Sequence, residues 1–77
     1  MVDRSRAVIR TARDGVDELD RLRREHGLTM MTISEMADMP DCGTQYCRMF
    51  KSGDCKLSKY IRFLRALGYE LSVIKKE

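Results

Sequence analysis

Apolar residues in the first 26 positions recur at Val8, Ile9, Ala12, Val16, Leu19 and Leu22, spacings of three and four that gather them on one helical face. Asp3 is placed to cap this helix, with Arg4 to Arg13 following. Asp14-Gly15 is a turn signal, yet the phase continues across it; one long helix or two abutting ones would fit, and a bend near Asp14 is favoured. Gly27 supplies a left-handed stop. Thr29 then caps a helix from Met30 to about Met39, with Met30, Ile33, Met36 and Ala37 inward, and Pro40 ends it. After a turn over Pro40–Gly43, Thr44 or Gly43 caps a third helix running to about Lys51. Its apolar side is Tyr46, Cys47 and Phe50, and Ser52-Gly53-Asp54 terminates it. Ser58 caps a fourth helix, Lys59 to Leu67, whose stripe is Tyr60, Ile61, Leu64 and Leu67, with Gly68 as its stop. Beyond it, Tyr69, Leu71 and Val73 alternate with Glu70 and Ser72, the period-two pattern of a strand.

The expected architecture is all-α: a small bundle of four to five helices containing a helix-turn-helix, plus a short C-terminal β-strand. One domain fills 1–77, divided into an N-terminal helical region (1–26), the helix-turn-helix (29–53), the fourth helix (58–68) and a dimerisation strand (69–75). A lone strand leaves its backbone groups unpaired, so its expected partner is the same strand of a second copy. A 77-residue chain buries a small core, which makes dimerisation a natural supplement. Tyr69, Leu71, Val73 and Ile74 would form that interface, with the apolar face of residues 8–22 as the alternative.

Charge is unevenly placed. The net charge is +3, but residues 27–41 carry Glu35, Asp38 and Asp41 with no base. Residues 42–65 carry Arg48, Lys51, Lys56, Lys59, Arg62 and Arg65 against Asp54 alone. Such a local excess is the footprint of a polyanion-binding surface. Lys59, Arg62 and Arg65, three apart on the fourth helix, read as a solvated face opposite its apolar stripe.

Other chemistry is scarce. No paired catalytic residues, phosphate loop or cofactor motif is present, and His26 has no nucleophile near it in sequence, so an enzyme is not expected. Cys42, Cys47 and Cys55 are spaced C-x4-C-x7-C, unlike the closer pairs of zinc sites. Cys47 is read as core and the other two as loop residues, with no metal or cofactor. Hydrophobic content of 43% and charged content of 35% are ordinary for a globular protein and argue against disorder. No apolar run approaches the roughly 20 residues that span a bilayer. The opening Met-Val-Asp-Arg-Ser-Arg lacks a secretory signal, so cytoplasmic residence with reduced thiols and no membrane partner is expected.

Leu22-Arg23-Arg24-Glu25-His26-Gly27-Leu28-Thr29, followed by Ile33-Ser34-Glu35-Met36-Ala37, resembles the opening of Xre/Cro-type helix-turn-helix domains. The resemblance resumes at Arg48-Met49-Phe50-Lys51-Ser52-Gly53. It is best over Leu57 to Leu71, where Ile-Arg-Phe-Leu-Arg-Ala-Leu-Gly-Tyr-Glu-Leu is similar to small phage regulators and antitoxins of that class. The chain departs from the family at Ser34 (usually alanine), at Asp38 (usually the turn glycine), at Met30 (usually a polar phosphate contact) and in a turn about three residues longer.

The resemblance implies a DNA-binding role with the third helix in the major groove. Thr44 and Gln45 would reach base edges, a glutamine amide pairing two-pronged with adenine. Arg48 would read guanine or grip a phosphate, while Lys51, Ser52, Lys56 and Thr29 would hold the backbone. Met49 reads as an exposed or thymine-methyl contact, and Tyr46 as core, with a hydroxyl contact to a phosphate as its alternative. The expected protein is a homodimeric, sequence-specific transcriptional regulator, a repressor that reads a palindromic operator in double-stranded DNA. The alternative is a protein-binding antitoxin or phage-encoded inhibitor on the same scaffold.

Overall fold

Thr11 begins the first helix of the computed structural model, which describes residues 7–39, 41–73 and 75. Its hydroxyl oxygen accepts the Asp14 amide at 3.0 Å, while the Asp14 carboxylate reaches back to the Arg10 amide at 3.2 Å. Two amides at the helix start are thereby satisfied, as in a capping box but with the Arg10 amide, one residue before the cap, in place of that of Thr11, and α1 runs Ala12–Glu25 from it. Asp14-Gly15 is therefore the first turn of a continuous helix and not a break. Residues 7–10 are not helical, so Val8 and Ile9 are exposed and take no part in the α1 stripe. The expected cap at Asp3 lies outside the described residues.

Three more helices follow: α2 (Met30–Met36), α3 (Thr44–Ser52) and α4 (Leu57–Ala66). Thr29 caps α2 by accepting the Thr32 amide at 3.0 Å. Lys56, one residue before Leu57, holds the N-cap position of α4, so Ser58 is already inside the helix. Three of the helices end alike. Leu28, Met39 and Tyr69 donate their amides to the carbonyls of Arg23, Ser34 and Leu64, five residues back, and Gly27, Asp38 and Gly68 donate to Arg24, Glu35 and Arg65. Each is a Schellman motif, in which a left-handed residue closes the helix and the next side chain folds onto the core. Asp38, at φ 63°, takes the place that glycine holds in the other two. This motif, and not Pro40, ends α2 at Met36.

The core joins all four helices around Tyr46 and Phe63, whose rings meet edge to face at 5.3 Å. Val16, Leu19, Ile33, Leu64 and Leu67 complete its centre. α2 packs against both α3 and α4, and α1 against α3. Met36 is about half exposed and Ile61 only half-buried, while Met39, beyond the end of α2, is buried. The shortened α2 accounts for the two methionines: the helix ends with Met36 on its outer side, and the Schellman turn folds Met39 back inside.

Among the described residues there is no strand. Tyr69 packs on the core as the closing residue of the α4 motif, while Leu71 and Val73 are exposed on an irregular tail. Alternation alone does not make a strand; it needs a hydrogen-bonding neighbour, and the described residues supply none. Ile74 lies outside the described residues. No helix of the described residues is long and apolar enough to cross a membrane.

Gly15 lies inside α1, and its carbonyl accepts the Tyr60 hydroxyl at 2.7 Å. A Cβ there would meet Ile9 and Tyr60 at 3.4–3.6 Å, ordinary packing distances. Gly15→Ala is therefore expected to raise stability by up to about 1 kcal/mol through helix propensity, read as a higher urea midpoint. A lower midpoint would show that the Tyr60 contact cannot accommodate a methyl group.

Candidate nucleic-acid interface

α3 is held from its inner side by a buried carboxylate. Asp20 of α1 is 3% exposed, and its Oδ1 accepts the Tyr46 hydroxyl at 3.0 Å. The same oxygen takes Arg23 Nε at 3.0 Å and Nη2 at 2.9 Å, and Oδ2 takes Arg24 Nε at 3.1 Å. Arg23 also donates Nη1 to the Leu28 carbonyl at 2.6 Å, tying the end of α1 into the network. Burial, reinforced by the Asp20 contact, pushes the Tyr46 phenol far above its ordinary value. No buried side-chain nitrogen or oxygen is left unpaired among the described residues.

Both ends of α3 are also fixed. At its start the Asp41 carboxylate accepts the Gly43 and Gln45 amides, each at 3.1 Å, and its backbone carbonyl takes the Thr44 amide and hydroxyl. Desolvation opposes ionisation of Asp41, but the amide bonds outweigh it and hold its carboxyl below the usual carboxylate range. Asp41→Ala is expected to lower stability by removing these bonds from the start of α3. Because the folded pKa is lowered, that contribution is fully present above the ordinary carboxyl value and is lost as pH falls below it through the lowered folded value. Acid titration of wild type and variant checks this: the two urea midpoints converge at low pH.

Gly43 itself turns left-handed at φ +85°, and a Cβ there would lie 3.1 Å from the Met30 carbonyl carbon. The start of α3 thus rests on the backbone of α2 through the absence of a side chain. Gly43→Ala is expected to cost about 2 kcal/mol from left-handed strain and this backbone clash, seen in thermal melts. At the other end, Arg13 Nη1 donates to the Phe50 carbonyl at 2.8 Å and its guanidinium lies 5.3 Å from the Phe50 ring centre. Gly53, at φ +71°, leaves room for that arginine; a Cβ would sit 2.8 Å from Arg13 Cδ.

These constraints set what α3 offers outward. Thr44, Arg48 and Lys51 are exposed, and Gln45 is half-buried. Met49 is buried among core residues, three positions after Tyr46 on the same inner face, so it is not an exposed or thymine-methyl contact. Ser52 is exposed, but its hydroxyl donates to the Met49 and Asp54 carbonyls, both at 3.2 Å, and works in the turn out of α3. Cys47 is only half-buried and outside the core cluster. Thr29 stands at the start of α2, its hydroxyl shared with Thr32 at 2.8 Å.

Two clefts flank Arg48. One, of about 280 Å³, is lined by Gln45, Arg48, Lys56 and Lys59, with Phe63 beneath and Asp54 at its edge. The other, of about 490 Å³, lies between Met30 and α3 and is lined by Thr44, Arg48 and Lys51 together with Cys42 and Cys47. Lys56, Lys59 and Arg48 therefore converge from two helices on one side. Lys59 was expected on a solvated face with Arg62 and Arg65; it instead lines this cleft, and its spacing of three from Lys56 was the available signal. Arg62 donates Nη2 to the Asp38 carbonyl at 2.9 Å, bracing the turn between α2 and α3.

Of the expected dimerisation residues, Tyr69 faces its own chain. Its ring stands edge-on to His26 at 5.9 Å, with its hydroxyl 3.4 Å from Nε2. Leu71 and Val73 are exposed. Among the described residues, no three or more His, Cys, Asp or Glu side chains gather to hold a metal ion. No protein-family model, curated protein or solved structure matches the chain.

Proposed function

We propose that the protein is a sequence-specific DNA-binding transcriptional regulator of the cytoplasm, a homodimeric repressor of Xre/Cro-like type. In this reading α2 and α3 form a helix-turn-helix and α3 enters the major groove. The observation that carries it is the two-sidedness of α3. Its inner side is bonded to a buried carboxylate, while its outer side presents Thr44, Gln45, Arg48 and Lys51 beside Lys56 and Lys59. A rigid helix with amide and guanidinium groups outward is what base-edge reading requires. The flanking lysines supply the phosphate contacts that set register. Asp38 adds support, since it adopts the left-handed conformation at the position where the family usually has glycine.

Two copies bound to one face of a duplex would place their α3 helices about 34 Å apart, one helical turn. Selection of bound sites from a random duplex pool, using the purified full chain, tests the reading. A recovered palindrome with half-sites one turn apart is the expected result; a pool that does not enrich contradicts it.

The second reading is a protein-binding antitoxin or inhibitor on the same scaffold. The exposed Met31 and Met36 on α2 and the long turn over residues 37–43 favour it. Salt-insensitive binding to a protein, without retention on heparin, distinguishes it.

A further inference from the structure

Cys42 and Cys47 play no part in the reading above, yet they line one cleft with Thr44, Arg48 and Lys51. Their placement follows from the entry into α3. Asp41 to Thr44 forms a tight turn closed by the Thr44 amide on the Asp41 carbonyl at 3.2 Å, with Cys42 and Gly43 both left-handed, at φ 58° and 85°. Gly43 is the N-cap of α3, so Cys42 immediately precedes the cap and Cys47 is the fourth residue of the helix. Cys42 and Cys47 are thus separated by one tight turn and the first turn of the helix, and both line the cleft between Met30 and α3. Here both are thiols, one exposed and one half-buried.

We propose that Cys42 and Cys47 are a reversible dithiol–disulfide switch at the start of α3, with a hydroperoxide as oxidant. The exposed Cys42 sulfur attacks the peroxide oxygen; the O–O bond breaks, giving a sulfenic acid and releasing water or an alcohol. Cys47 sulfur then attacks the Cys42 sulfur, the S–S bond forms, and the sulfenic oxygen leaves as water with the thiol proton. Two thiols and one peroxide thus become one disulfide. Cys55 is separate: it lines the opposite cleft, its Sγ donates to the Lys56 carbonyl at 3.3 Å, and burial pushes its thiol up. Joining Cys42 to Cys47 draws the turn across the cleft between Met30 and α3 and narrows the approach to Arg48 and Lys51.

The test uses the full chain with Cys55→Ser, reduced and then treated with stoichiometric hydrogen peroxide. The expected product is a monomer lighter by two hydrogens, with unchanged far-ultraviolet circular dichroism. Cleavage after Tyr46 leaves its two halves joined, and dithiothreitol restores the mass. Adding Cys47→Ser abolishes the product. A disulfide-linked pair of chains, or Cys42 carried to sulfinic acid while Cys47 stays alkylatable, overturns the proposal. A second arm rests on the proposed DNA-binding function: oxidised chain is expected to bind a random-sequence duplex several-fold more weakly than reduced chain at low salt. Equal affinities overturn the switch, whereas binding by neither form counts against the DNA reading and leaves the disulfide result intact.

Discussion

Asp20→Ala is expected to remove about 3–5 kcal/mol of folding stability, because it leaves the buried Tyr46 hydroxyl without its acceptor and the half-buried Arg23 guanidinium without its carboxylate. Asp20 is the one acceptor shared by Tyr46, Arg23 and Arg24, and its own exposure is 3%. A domain of this size has total stability on the order of 5–10 kcal/mol, so the variant should sit near the edge of folding at room temperature. Its melting temperature should fall by tens of degrees, at roughly 4–8 °C per kcal/mol. Tyr46→Phe removes one hydrogen bond and keeps the ring against Phe63, so it should cost only about 1–2 kcal/mol. A difference of less than 1 kcal/mol between the two variants would mean that the carboxylate is not what binds α3 to α1.

The same network gives the protein an alkaline limit. The Tyr46 phenol is raised by burial and then by its bond to Asp20, and the Tyr60 phenol is pushed up to about 12 by burial and the nearby Glu18 charge. A phenol whose folded pKa is raised contributes stability that is fully present below its unfolded value of 10 and lost as pH rises through and beyond it. Urea midpoints should therefore fall above that pH, and less steeply in Tyr46→Phe.

Arg48→Ala is the second large effect, on DNA binding and not on folding. Arg48 is exposed and is the one residue lining both clefts on the outer face of α3. Losing a base-edge or phosphate contact costs about 1–3 kcal/mol of affinity, roughly fivefold to more than a hundredfold. The melting temperature should be unchanged. A fluorescence anisotropy titration giving wild-type affinity would remove Arg48 from the interface.

How much of this was legible in the residues depends on the kind of information each feature needs. Helix ends were readable where capping is local: Thr29 opens α2, and Gly27, Gly53 and Gly68 take the left-handed turns expected of them. The Asp14 contact at the start of α1 was not, because a carboxylate followed by glycine signals a turn as strongly as it signals the first turn of a helix. The phase of α3 was half readable. Tyr46 is core as expected, but Met49 and Cys47 exchange the environments expected of them, since nine residues carry too few apolar positions to fix a helical face. Phe63 escaped notice beside the regular stripe of α4, yet it is the ring that packs on Tyr46.

Asp20 was the least visible. It lies in a run of charged residues on α1, and its burial is set by Tyr46, 26 residues away. The C-terminal alternation was legible as a pattern but is not a strand in the described residues, because strands depend on partners outside their own sequence. For the candidate site, the basic residues were legible from charge alone, whereas the convergence of Lys59 with Lys56 and Arg48 depends on how α3 and the start of α4 are brought to one cleft.

The central claim is that the outer face of α3, with the start of α4, binds the phosphate backbone and base edges of DNA. The salt dependence of binding of the full chain to a duplex tests it most directly. If Arg48, Lys51, Lys56 and Lys59 each displace a counterion, log affinity should fall against log salt with a slope of about −3 to −4 per bound chain. Replacing Lys59 by alanine should make that slope shallower by about 1. A slope near zero, or no binding at low salt by a folded chain, would contradict the account.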